Sequence, residues 1–127
     1  MQINDPTVLA EVEAVFARYE VALVMNDVAT LDELFWRDER TIRYGAGENL
    51  YGHAAIEAFR AARPADGLAR RLDRVVITTF GRDFATASTL FTRDSLPGRV
   101  GRQMQSWVRM AEGWRVVAAQ VSFIAAD

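Results

Sequence analysis

The chain has 127 residues and a formal net charge of −2; half of it is hydrophobic and 25% is charged. That is the composition of one globular domain, residues 1–127, with a core of its own. No basic block or stripe appears, so the electrostatic footprint of a nucleic-acid binder is missing. No apolar run approaches the roughly 20 residues of a membrane helix, so no membrane partner is expected.

The start, MQINDPTVLAEVE, is acidic and has neither a basic n-region nor an apolar h-region, which leads us to expect a cytoplasmic protein. The residue inventory narrows the chemistry. There is no cysteine, which removes thiol nucleophiles, disulfides and thiolate metal sites. All fifteen basic residues are arginine, which removes Schiff-base chemistry and a lysine base. His53 is the one histidine, so a His-rich metal site is out, whereas a mixed carboxylate site stays open. No GxSxG, Walker A or GxGxxG pattern occurs. Any catalysis runs on Tyr, Arg, Asp/Glu, Ser/Thr, Asn/Gln or backbone groups.

Asp5-Pro6 is a helix start, an N-cap acceptor followed by proline at the first helical position. Val8, Leu9, Val12, Val15, Phe16, Tyr19, Ala22 and Leu23 follow at helical spacing, which predicts a first helix over about 6–25. Asn26-Asp27 breaks it. Thr30 and Glu33 read as a capping box for a short second helix over about 31–36. After the charged turn Arg37-Asp38-Glu39, residues 41–44 read as a strand ended by Gly45-Ala46-Gly47. A third helix over about 53–63 carries Ile56, Phe59 and Ala62 on one face and stops at Pro64. His53 reads as a helix-terminus residue. Four strands follow, 72–80, 84–92, 100–110 and 114–124, joined by Gly81-Arg82-Asp83, Leu96-Pro97-Gly98 and Ala111-Glu112-Gly113.

Helices first and adjacent antiparallel strands last predict an α+β fold, with the helices on one face of a curved sheet. Long twisted hairpins curl. A long helix across the mouth of the curl makes a cone with an internal cavity. Tyr19 is a hydroxyl on the apolar stripe of the first helix, and Arg43 is a charge inside the first strand. These two are the residues that such a cavity would bring together.

The order of elements resembles the NTF2-like superfamily, the cystatin-like α+β cone, with three N-terminal helices on the concave face of the sheet. Narrower motifs are similar to those of the AtzH/HpxZ-like group of small bacterial proteins associated with amidase clusters for ureido compounds. They are Leu34-Phe35-Trp36, Thr41-x-Arg43-x-Gly45, Leu68-Ala69-Arg70, Thr79-Phe80-Gly81-Arg82-Asp83, Gly101-Arg102-Gln103-x-Gln105-x-Trp107 and Ala118-Ala119-x-Val121-Ser122. The resemblance implies amide hydrolysis of a small carboxylated urea, of the type 1,3-dicarboxyurea to allophanate, with Tyr19 and Arg43 as the key pair. One departure is Gln120, where the group pattern leads us to expect histidine. A pocket donor survives there, but an imidazole acid–base does not.

Tyr19 and Arg43 lie 24 positions apart. Ketosteroid isomerases, on the same cone, place a tyrosine donor and an aspartate base in that relation. A guanidinium does not accept a proton at working pH, so the isomerase reading fails at its central residue. Arg43 suits a carboxylate instead, held bidentately in a dry pocket. The plain alternatives are an ion-paired strand arginine and a core tyrosine whose hydroxyl finds a partner.

Further candidates for substrate binding are Gln105, on a strand face with Gln103 and Trp107, and Gln120 and Ser122, read on one face with Trp114, Val116 and Ala118. Arg70 would supply a second carboxylate clamp, and Trp36 would wall the pocket. Each of these also has an ordinary core, edge or solvent reading.

Two functions follow as expectations. The first is a cofactor-independent hydrolase acting on a C–N bond of a small anionic ureido acid, with no metal or organic cofactor. The second is a non-catalytic module that binds a small acid, or a scaffold partnering a larger amidase. A homo-oligomer is expected in either case, paired through the open sheet face, with Val117, Val121 and Phe123 as its apolar residues.

Overall fold

A computed structural model covers residues 1–127. Helix α1 spans Pro6–Val24, and the Asp5 carboxylate caps it by accepting from the Thr7 and Val8 amides at 3.0 and 3.2 Å. Its buried stripe is Val8, Val12, Phe16, Tyr19, Ala22 and Leu23, as the spacing predicts.

Asn26 ends the helix in the left-handed region at φ 52°. Helix α2, Val28–Leu34, therefore starts earlier than the capping-box reading placed it. Asp27 is its cap, accepting from the Thr30 amide at 3.2 Å and from the Thr30 hydroxyl at 2.7 Å. Glu33 does not reach back; it pairs with Arg18 at 2.6 Å. A carboxylate directly after the left-handed residue outcompetes a hydroxyl three positions later.

Strands β1 (Ile42–Tyr44) and β2 (Asn49–Tyr51) form a small hairpin, the second strand being one that the sequence pattern does not predict. Helix α3 spans His53–Ala62. It is tied to α2 from two sides. The His53 ring meets the Asp32 carbonyl at 2.7 Å, and Arg60 pairs with the Asp32 carboxylate at 3.2 Å while lying 4.1 Å over the Phe35 ring.

The long strands are β3 (Arg71–Phe80), β4 (Phe84–Thr92), β5 (Arg99–Met110) and β6 (Gly113–Ala125). The six strands form one open sheet in the order β2-β1-β6-β5-β4-β3. Every pairing is antiparallel except β1 against β6, which is parallel. The core lies between the α1–α2 layer and the inner face of the sheet. It includes Leu31, Leu34, Phe35, Trp107 and Val116. The Trp114 indole donates to the Glu11 carboxylate at 3.0 Å, which pins α1 to β6.

Two bulges bend the sheet. One lies in β3 between Asp73 and Val76, where Arg74 sits at φ 53°. The other sets Trp107 against Val116 but Ser106 against Ala118, so Val117 is an extra residue on β6. This second bulge reverses the alternation of the rest of β6. Trp114 and Val116 face inward before it, and Ala119, Val121 and Phe123 face inward after it. Ala118, Gln120 and Ser122 turn to the outer face.

Candidate functional site

Parallel pairing of β1 with β6 sets Arg43 beside Ala119, and Ala119 lies opposite Gln105. The neighbouring inner row holds Val121 opposite Gln103. Both glutamines are buried, each 2% exposed. Tyr19 descends on these rows from α1, 6% exposed, with its ring 6.4 Å from both Trp107 and Phe35. No protein group hydrogen-bonds the Tyr19 hydroxyl.

A pocket of about 140 Å³ opens toward one end of the sheet, lined by Arg43, Glu48, Phe59, Arg63, Arg93 and Phe123 among others. That is below the roughly 300–1,000 Å³ usual for pockets of drug-sized ligands, so the space suits only a small molecule.

Each polar group here is set by its neighbours. Arg43 pairs with Glu48 at 2.9 Å and lies 5.3 Å over the Phe59 ring; its side chain is 13% exposed. Gly45 leaves room for the Arg43–Glu48 pair as it stands. A methyl there would stand 1.7 Å from Glu48 Oε1 and 3.0 Å from Arg43 Nη1. Arg70 pairs closely with Glu20 and donates to Gln103 Oε1 at 2.9 Å. The Trp107 indole donates to Gln105 Oε1 at 3.1 Å. Both amide oxygens are thus occupied by fixed donors, and both amide nitrogens, Nε2 of Gln103 and Gln105, are buried without a partner.

Arg63 and Arg93 take part in no ion pair. Burial pushes both guanidiniums below their ordinary pKa, and repulsion from neighbouring arginines adds to this: Arg43 and Arg93 on Arg63, Arg70 and Arg43 on Arg93. Burial likewise lowers Arg60, with opposing support from Tyr19 and from Asp32. Tyr19 is an electrostatic neighbour of all three arginines. Arg43, Arg63 and Arg93 thus line one pocket in which Glu48 is the sole acidic side chain.

The fold therefore brings Tyr19, Arg43, Arg70 and Gln105 into one region. It does not bring Gln120, Ser122 or Trp36 there. Gln120 is exposed on the outer face in a shallow depression with Tyr44, Met104 and Ser106. Ser122 accepts from Arg102 Nε at 3.2 Å on that same face. The Val117 bulge is the reason for both. Trp36 lies beyond α2 with Arg40 stacked on it at 5.0 Å, and its amide donates to the Val116 carbonyl at 3.0 Å. Val121 and Phe123, read as an oligomer surface, line the pocket instead.

Residues 1–127 match the AtzH-like family over their whole length. The chain belongs to the AtzH-like family. It is similar to a protein of unknown function from Pectobacterium atrosepticum, 62% identical over 97% of this chain and 95% of that one, with a TM-score of 0.94. It is also similar to a cystatin-like fold protein from Burkholderia xenovorans, 48% identical over 100% and 99% of the two chains, with a TM-score of 0.96. An NTF2-like protein with a cystatin-like fold from Novosphingobium aromaticivorans, 23% identical over 95% and 84% at a TM-score of 0.70, shares the fold. No curated protein matches.

In this AtzH-like protein, two arginines of the site escaped the sequence reading. Arg63 follows the end of α3 and Arg93 follows the end of β4, so neither sits in a periodic pattern that marks an inward face. The available signal was compositional: arginines flanking apolar segments in a chain without lysine. No group of three or more His, Cys, Asp or Glu side chains is placed to hold a metal. No helix is long and apolar enough to cross a membrane.

Proposed function

We propose that this AtzH-like protein is a small hydrolase that cleaves a C–N bond of a carboxylated urea. The observation that carries this reading is a small pocket with an excess of guanidinium charge, lined by Arg43, Arg63 and Arg93, beside inner strand rows on which the amide nitrogens of Gln103 and Gln105 are buried without a partner. Buried donors without partners are costly, and a ligand rich in acceptors relieves them.

A urea bearing carboxylates at both ends fits that demand in size and charge. In the balanced reaction, 1,3-dicarboxyurea and water give allophanate and bicarbonate. The bond between one nitrogen and its carboxyl carbon breaks, the nitrogen takes up a proton, and the carboxyl group leaves with the oxygen of water.

Arg43 binds the carboxylate and stabilises the charge that builds on it. Gln105 and Gln103 donate to the central carbonyl, and Tyr19 delivers the proton to the departing nitrogen or orients the water. The reading requires no metal or organic cofactor.

The test is turnover by the purified protein alone. Freshly prepared 1,3-dicarboxyurea should release bicarbonate faster with the protein than without it. Tight binding with no acceleration would overturn the hydrolase and favour a non-catalytic module that hands a small acid to a larger amidase. One observation keeps that second reading in play: both carboxylates nearest the site, Glu20 and Glu48, are held by arginines rather than free to act as bases.

A further inference from the structure

The pocket contains more positive charge than one carboxylate uses. Arg43 has its counter-ion in Glu48, and Arg70 has its own in Glu20. Arg63 and Arg93 have none, although both line the same pocket as Arg43. Nε and Nη2 of Arg63 and Nε of Arg93 are shut off from solvent and make no hydrogen bond. Like-charged groups gathered without a counter-charge, and with donors left unmade, are expensive unless something anionic comes between them.

Their presentation is also built rather than incidental. Arg93 lies 5.3 Å over the Phe91 ring, and Arg70 lies 4.5 Å over the same ring. Phe91 is 1% exposed and meets Phe123 edge-on at 5.6 Å. An aromatic shelf of this kind holds a guanidinium plane while leaving its edge free to donate.

We propose that Arg63 and Arg93 form a second anion subsite that clamps the distal carboxylate of a small dicarboxylate whose first carboxylate lies on Arg43. The assignment rests on the reading of this pocket as the ligand site. It deepens that reading, because it makes the second charge of the ligand, rather than its ureido centre, the feature that selects it. Monocarboxylates of the same length would leave Arg63 and Arg93 unpaired and bind weakly.

The test uses binding, not turnover. The probes are 3-oxoglutarate and acetoacetate, carbon analogues that differ by one carboxylate, each titrated calorimetrically into the intact protein. Wild type should bind the dicarboxylate at least about tenfold more tightly, the worth of a charge-assisted hydrogen bond. Arg63→Gln and Arg93→Gln should each shrink that ratio to near unity, weakening 3-oxoglutarate far more than acetoacetate. Arg63→Lys and Arg93→Lys, which keep the charge without the fork, should recover part of it, and this separates a lost clamp from a damaged fold. A ratio unchanged in the glutamine variants, or an equal weakening of both probes, overturns the clamp. Failure of wild type to bind 3-oxoglutarate overturns it together with the pocket reading. A ratio that behaves as expected in a protein that does not hydrolyse dicarboxyurea leaves the clamp standing and removes only the hydrolase.

Discussion

The Trp107 indole donates to Gln105 Oε1 at 3.1 Å, and this one hydrogen bond decides which way the Gln105 amide faces. With its oxygen engaged, the amide has only its NH2 group left, buried and without a partner. Arg70 does the same to Gln103. The inner face of the sheet is thereby set to donate, not accept.

Gln105→Glu tests this directly. The new side chain is isosteric and still accepts from Trp107, but it replaces the inward donor with an oxygen that repels an anion. Turnover of dicarboxyurea should fall at least about 100-fold, the usual cost of losing a donor to a developing oxyanion. Circular dichroism should report an intact fold. Unchanged kcat/KM in this variant would remove Gln105 from the site.

Tyr19→Phe should abolish turnover and leave the thermal melt nearly where it was, because no protein hydrogen bond is lost with the hydroxyl. Arg43→Ala should also abolish turnover. Bicarbonate release at saturating substrate is the measurement, and wild-type activity in Tyr19→Phe would end the proton-transfer role.

Glu48 competes with an anionic ligand for Arg43. Glu48→Gln removes the competing charge, so 3-oxoglutarate should bind several-fold more tightly by calorimetry, even if turnover falls. Weaker binding would mean that Glu48 is needed to aim Arg43 rather than to hold it in reserve.

Gly101→Ala should damage the site from behind. A methyl at this position would stand 2.1 Å from Phe91 Cζ, inside a buried ring that cannot swing into solvent. The overpacking should cost about 1–3 kcal/mol in denaturant unfolding. By shifting the shelf under Arg70 and Arg93, it should also weaken dicarboxylate binding.

Asp38 supplies a pH dependence away from the site. Hydrogen bonds from the Arg40 side chain and backbone amide hold its pKa down to about 2. A depressed carboxylate stabilises the fold fully above its unfolded-state pKa and loses that effect as pH falls through the folded value. The contribution is therefore intact above pH ~4 and gone near pH ~2. In acid titration followed by circular dichroism, Asp38→Asn should lose stability at neutral pH and show a shallower acid limb than wild type over that window.

Local patterns in the sequence carried the elements. The apolar stripe of α1, the Asp5-Pro6 start, Pro64 after α3 and the glycine-marked turns place the three helices and four long strands within a few residues, because these features depend on neighbours three or four positions away. They also carried the prominence of Tyr19 and Arg43, since a hydroxyl on an apolar stripe and a charge within a strand are visible one element at a time. The tertiary structure alone decided the rest. One extra residue at Val117 turned Gln120 and Ser122 away from the cavity, and a bulge depends on the register of a partner strand, not on the strand that contains it. The orientation of the Gln103 and Gln105 amides depends on donors elsewhere in the fold, and the meeting of Arg63 with Arg93 joins the end of α3 to the end of β4. Such placements are long-range, so no local periodicity encodes them. They give the pocket a charge that Tyr19 and Arg43 by themselves would not.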